Sequence, residues 1–168
     1  MRYFVLILLP FLSLFLQSTI FSFLSIKGAI PNLVLIFVVF FALLNSNRNR
    51  SAAYGFLCGL LVDLYIGRFI CMNALALGAT AFFIGSFEGR VFKENLLVGT
   101  IAVAAGICLN NFFLFLLSLI YFNVFHFDVN LLSNILYQGL YNVLLAIPIY
   151  AWYYHSTKNG LLRSYREI

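Results

Sequence analysis

The chain has 168 residues, 64% of them hydrophobic and only 9% charged, with a mean hydropathy of +1.02, whereas a soluble domain is about one quarter charged. That content supplies about six segments of the ~20 residues needed to cross ~30 Å of hydrocarbon, leaves too little for a folded extramembrane domain, and so excludes soluble enzyme folds. The formal charge of +5 then reads as topology information and not as a nucleic-acid surface.

Charges and turn residues divide the sequence into six predicted spans within one polytopic transmembrane domain, residues 1–168. The first, Tyr3 to Leu24, follows Met1 and Arg2 as a signal peptide does, but no small-residue cleavage site ends it and its length suits a retained helix. The second runs from Ala29 to Leu44, with Pro31 where a missing N–H costs nothing. The third, Ala52 to Ile66, is short and glycine-rich, and the cost of Asp63 largely cancels the insertion energy of its apolar residues, so it needs its neighbours to stay in the membrane. The fourth is Ile70 to Phe87, the fifth Leu96 to Phe122 and the sixth Leu131 to Tyr154. Pro10 and Pro148 fall inside the first and sixth spans and are expected to kink them. With both termini in the cytoplasm, Arg2, Arg48, Arg50, Arg90, Lys93, Lys158, Arg163 and Arg166 lie inside and only Lys27 and Arg68 outside, as the positive-inside rule requires. The outer loop at Asn123 to Asn130, with His126 and Asp128, is short. The two halves show no residue-level repeat, which gives no support to an inverted-repeat transporter.

Three constellations stand out. Gly55 and Gly59 form a G-x-x-x-G on the third span, and Gly85 and Gly89 another at the end of the fourth, where Ala74, Gly78 and Ala81 continue a small-residue stripe. Such stripes let helix axes approach closely. They serve either the packing of these two helices or the docking of another protein's helix.

Asp63 is an acid well inside a span, and an intramembrane acid is a functional hypothesis by default. Close to Gly67, it is either hydrated at the outer interface, paired with Arg68 beyond the turn, used as a proton or ion site, or engaged by a protein or lipid. Asn134, Gln138 and Asn142, spaced four apart, make one polar stripe on the sixth span, with Asn110 and Asn111 of the fifth as candidate partners. This is either a structural clamp or a pocket for a polar molecule or lipid headgroup.

The cysteines, Cys58, Cys71 and Cys108, have no metal-binding spacing and read as small buried residues, and no motif for a nucleophile, a metal or a phosphate loop is present. The chain is therefore expected to be no enzyme and to hold no cofactor.

The segments Pro31-Asn32-Leu33-Val34-Leu35, Ala42-Leu43-Leu44, Tyr54 through Gly67 with its glycine and aspartate block, Ala74-Leu75-Ala76, and Leu136 through Asn142 resemble the rod shape-determining protein MreD family. Cys71 departs from it, standing where relatives usually have glycine. The resemblance implies an all-α, six-helix protein of the bacterial cytoplasmic (inner) membrane. In the rod elongation complex it would be a non-catalytic scaffold that binds the bitopic protein MreC and, with it, links MreB filaments to the RodA glycosyltransferase and a penicillin-binding transpeptidase. It also implies an architecture like the S components of energy-coupling vitamin transporters, from which the competing reading follows, a substrate-binding transporter subunit. A lipid transporter is a third reading, resting on the polar helix faces.

Overall fold

A computed structural model describes residues 2–23, 30–45, 47–67, 71–87, 96–122 and 129–159. The apolar runs become helices, because a buried backbone N–H or C=O needs a partner and a helix satisfies both within one segment. In chain order they are α1 (Arg2–Ser18), the single turn α2 (Ile20–Phe23), α3 (Leu33–Leu44), α4 (Arg48–Ile66), α5 (Met72–Ser86), α6 (Leu96–Phe122) and α7 (Val129–Asn159). No strand occurs among the described residues.

The first predicted span divides at Thr19, whose backbone N–H and hydroxyl both donate to Phe15 O, at 3.1 and 2.7 Å. Pro10 and Pro148 lie inside α1 and α7 and end neither helix.

The shortest of the long helices is α3, at 12 residues, about 18 Å of rise. It sits at the centre, touching α1, α4, α5, α6 and α7, with ten of its residues from Leu33 to Leu43 buried. A helix apolar all round is one enclosed by other helices. Around it, Leu6 and Leu9 of α1, Cys58 and Val62 of α4, Leu77 and Ala81 of α5, Val103 and Ile107 of α6, and Tyr150 and Tyr153 of α7 complete one core. Phe40 and Tyr150 meet edge to face at 4.9 Å.

The third predicted span is not a short helix. Its apolar part is short, but α4 begins one turn earlier, at 19 residues in all, because the Asn47 side chain caps it by accepting from Asn49 N at 3.0 Å and Arg50 N at 3.4 Å.

Among the described residues one segment, Leu97–Ile120, is long and apolar enough to cross a membrane by itself, with a mean hydropathy of 2.1; Phe4–Ser18, Leu33–Leu44 and Met72–Ser86 are apolar but shorter. The outward face of α1 is a continuous apolar surface of Phe4, Ile7, Leu8, Phe11, Leu12 and Phe15. The expectation that all three cysteines are buried holds for Cys58 only: Cys71 is half-buried and Cys108 is exposed on α6, where a weakly polar thiol costs little against an apolar surround.

Lys27, Arg68, Gly89, Arg90, Lys93, His126, Asp128, Arg163 and Arg166 lie outside the described residues.

Candidate functional site

The α4–α5 pair is the most extensive helix contact, and the small residues make it so. Gly55, Gly59 and Asp63 follow one another at four-residue intervals, so they occupy one face of α4. A Cβ at Gly55 would lie 2.6 Å from Leu77 O and 2.8 Å from the Ala81 Cβ; one at Gly59 would collide with Asn73 O and lie 2.5 Å from Ala74 Cα. On the facing helix Ala74, Gly78, Ala81 and Gly85 are all buried. At the start of α4, a Cβ at Gly85 would come within 3.3 Å of Arg48 Cα, and the Arg48 guanidinium lies 5.3 Å from the Phe82 ring centre, a cation–π distance. This glycine therefore packs against α4.

Asp63 completes the same face. Its carboxylate is enclosed by the protein: 1% of the residue is exposed. Oδ1 accepts from Asn73 N at 3.0 Å and from Asn73 Nδ2 at 2.8 Å, and Oδ2 accepts from Ala74 N at 3.0 Å.

Those two backbone donors are the second and third residues of α5, the groups that a helix-capping side chain normally serves. The residue in the capping position, Cys71, makes no side-chain cap bond. Asp63 therefore caps α5 from the preceding helix, with its negative charge at the positive end of the α5 dipole.

The turn geometry explains why a separate helix must do this. The backbone is left-handed at Gly67, φ +67°, and at Cys71, φ +73°. Gly67 adopts that conformation freely, whereas Cys71 is strained by its Cβ, which accounts for glycine being the expected residue there.

The second polar constellation forms at the start of α3. Over Ile30, Pro31 and Asn32 the backbone has left one helix and not yet begun the next, so its polar groups need outside partners. Gln138 Nε2 donates to Ile30 O at 3.0 Å, Gln17 Nε2 donates to Pro31 O at 2.9 Å, and Asn142 Oδ1 accepts from Asn32 N at 2.7 Å. The Asn32 side chain accepts from Leu35 N at 3.0 Å.

Two helices thus hold three consecutive residues, α1 through Gln17 and α7 through Gln138 and Asn142. For Gln138 and Asn142 the predicted pairing with α6 is not what forms; the Asn134 side chain lies outside what the structure describes. Asn111 Nδ2 donates back to Ile107 O of its own helix at 2.9 Å, and Asn110 is buried with its Oδ1 unpartnered. The physical reason is that a helix start offers free backbone groups, which bind amides more readily than amides in mid-helix that already sit beside carbonyls. Asn134 is on α7.

Sequence reasoning missed Gln17 and Asn73. Gln17 had a signal, being the lone amide in the uncharged first span; Asn73 had one only in its place just after a turn. No group of three or more His, Cys, Asp or Glu side chains that could hold a metal occurs among the described residues. What this arrangement does chemically is to hold: two sets of polar side chains fasten helix starts inside an apolar bundle.

The family model described as rod shape-determining protein MreD matches residues 1–157. No curated protein and no solved structure matches the chain. A match over that much of the chain shows that it belongs to the rod shape-determining protein MreD family.

Proposed function

We propose that this chain is a non-catalytic, six-span scaffold of the bacterial inner membrane, with both termini cytoplasmic. It binds an MreC-like bitopic protein and, through it, couples MreB filaments to RodA and a penicillin-binding transpeptidase during rod elongation. Membership of the family supports the role in shape, and the excess of basic residues in the predicted inner loops supports the orientation.

The observation that carries the scaffold reading is the state of Asp63. A transporter's intramembrane acid is kept available to a proton or ion. Here both carboxylate oxygens are occupied by α5 donors, so the charge fastens two helices. Lipids surround the bundle, and its apolar outward faces are suited to lipid or to a partner's transmembrane helix.

The test is mass spectrometry of the proteins and small molecules that co-purify with the tagged chain from its native membrane in a mild detergent. Stoichiometric recovery of an MreC-like protein with wall synthases is the expected result. ATPase subunits with a vitamin-sized ligand, and none of those partners, would make the chain a transporter subunit and overturn the reading.

A further inference from the structure

The proline of α1 leaves a gap that another helix fills. In an α-helix the N–H of residue 10 would donate to the carbonyl of residue 6, but Pro10 has no N–H and its ring crowds that same carbonyl. Leu6 O therefore loses the partner its own helix would supply. The Tyr54 hydroxyl of α4 donates to it instead, at 2.9 Å.

The neighbours of Tyr54 aim that hydroxyl. Gly55 faces α5, where an added Cβ would lie 2.6 Å from Leu77 O, and a step of 100° around the helix carries Tyr54 to the side of α4 that meets α1. Its ring centre lies 4.3 Å from that of Phe41, so α3 supports it.

The two halves of α1 are then held separately. Before the proline, Tyr54 takes Leu6 O; after it, Gln17 Nε2 takes Pro31 O at 2.9 Å. Among the described residues these are the hydrogen bonds that tie α1 to other elements. In the first half Leu6 and Leu9 are buried, whereas Phe4, Ile7 and Leu8 are exposed, so few side chains other than Tyr54 hold it.

We propose that Pro10 and Tyr54 form a latched hinge. The proline weakens the joint between residues 2–9 and the rest of α1, and the Tyr54 hydroxyl keeps those residues against α4. With the bond made, α1 behaves as one rod; with it broken, the first half leans away while Gln17 keeps the second half at the start of α3. A single neutral hydrogen bond suits a latch, because its modest net stability lets it open and re-form. The device belongs to the fold and stands whether or not the scaffold role does.

A double-mutant cycle on the full chain tests it. Tyr54→Phe removes one oxygen and keeps the ring beside Phe41; it is expected to lower the folding equilibrium constant about fivefold in reversible unfolding in micelles. Pro10→Ala returns an N–H to Leu6 O, and in that background the loss of the hydroxyl is expected to cost less than about twofold. The motion is read from the distance between spin labels on Phe4→Cys and on the native Cys108, both exposed positions, in a chain that also carries Cys71→Gly, a change suited to the left-handed backbone there. Tyr54→Phe is expected to broaden that distance distribution, and Pro10→Ala to narrow it again. An equal loss of stability in both backgrounds, no loss in either, a distribution as narrow in Tyr54→Phe as in the parent, or a broadening that Pro10→Ala does not reverse overturns the proposal.

Discussion

Gly59 and Gly139 are the same residue in the middle of two helices, with opposite surroundings. At Gly59 a single added carbon collides with the backbone of α5; at Gly139 it meets nothing. The α4–α5 pair around Gly59 is closed, with its acid fully bonded. The first half of α7 is held to the residues that lead into α3 by two amides, from Gln138 and Asn142. A glycine in a helix therefore means close approach only where a facing backbone is present.

The largest effect that can break this contrast belongs to Gly59→Leu. Because backbone atoms of Asn73 and Ala74 are what it meets, no side-chain rotation relieves the clash, and a loss of more than about 3 kcal/mol is expected. Reversible unfolding in detergent micelles measures it; a stable, monodisperse variant would show that the α4–α5 contact is not tight.

Asp63→Ala comes next. It strands Asn73 N and Ala74 N without an acceptor, at roughly 3 kcal/mol. Asp63→Asn, which keeps one carbonyl oxygen, is expected to lose about half of that and to insert as well as the parent or better. If the two variants unfold alike, the carboxylate geometry is not what matters.

At the start of α3, Gln17→Leu removes one of three holds and is expected to cost about 1 kcal/mol, with faster hydrogen exchange at the first turn of α3 as its local signature. The smallest effect has the opposite sign: Gly139→Ala is expected to stabilise by about 0.5–1 kcal/mol, whereas Gly55→Ala destabilises. Matching signs at the two sites would erase the comparison.

The positions of the helices were legible in the sequence, because apolar runs in a chain this hydrophobic have few alternatives. So was the small-residue stripe, since helical spacing alone aligns Gly55 with Gly59 and Ala74 with Gly78 and Ala81. What the polar residues do was less legible, for one reason in both places. Asp63 was expected to be hydrated, to pair with Arg68, which lies outside the described residues, or to serve a proton, ion, protein or lipid, and the amides of α7 were expected to find those of α6, because side chains are what a sequence displays. Apart from Asn73 Nδ2, the partners found by Asp63, Gln138 and Asn142 are backbone donors and acceptors at the starts of α5 and α3, groups that no letter marks. Gly67 announced its turn, and Cys71, in the same left-handed conformation, did not.

The two sets of bonds also differ in when a ribosome can complete them. Asp63 reaches its donors across 10 and 11 residues, so the α4–α5 unit can close as soon as it has left the tunnel. The start of α3 waits for Gln138 and Asn142, which are 108 and 110 residues further on, or about 5 to 20 s later at ordinary translation speeds. Until the last helix arrives, the first residues of the central helix have polar backbone groups without these partners, and chaperone or quality-control factors have that interval in which to act. A chain cut short before Gln138 would contain a finished hairpin beside a centre that never locks.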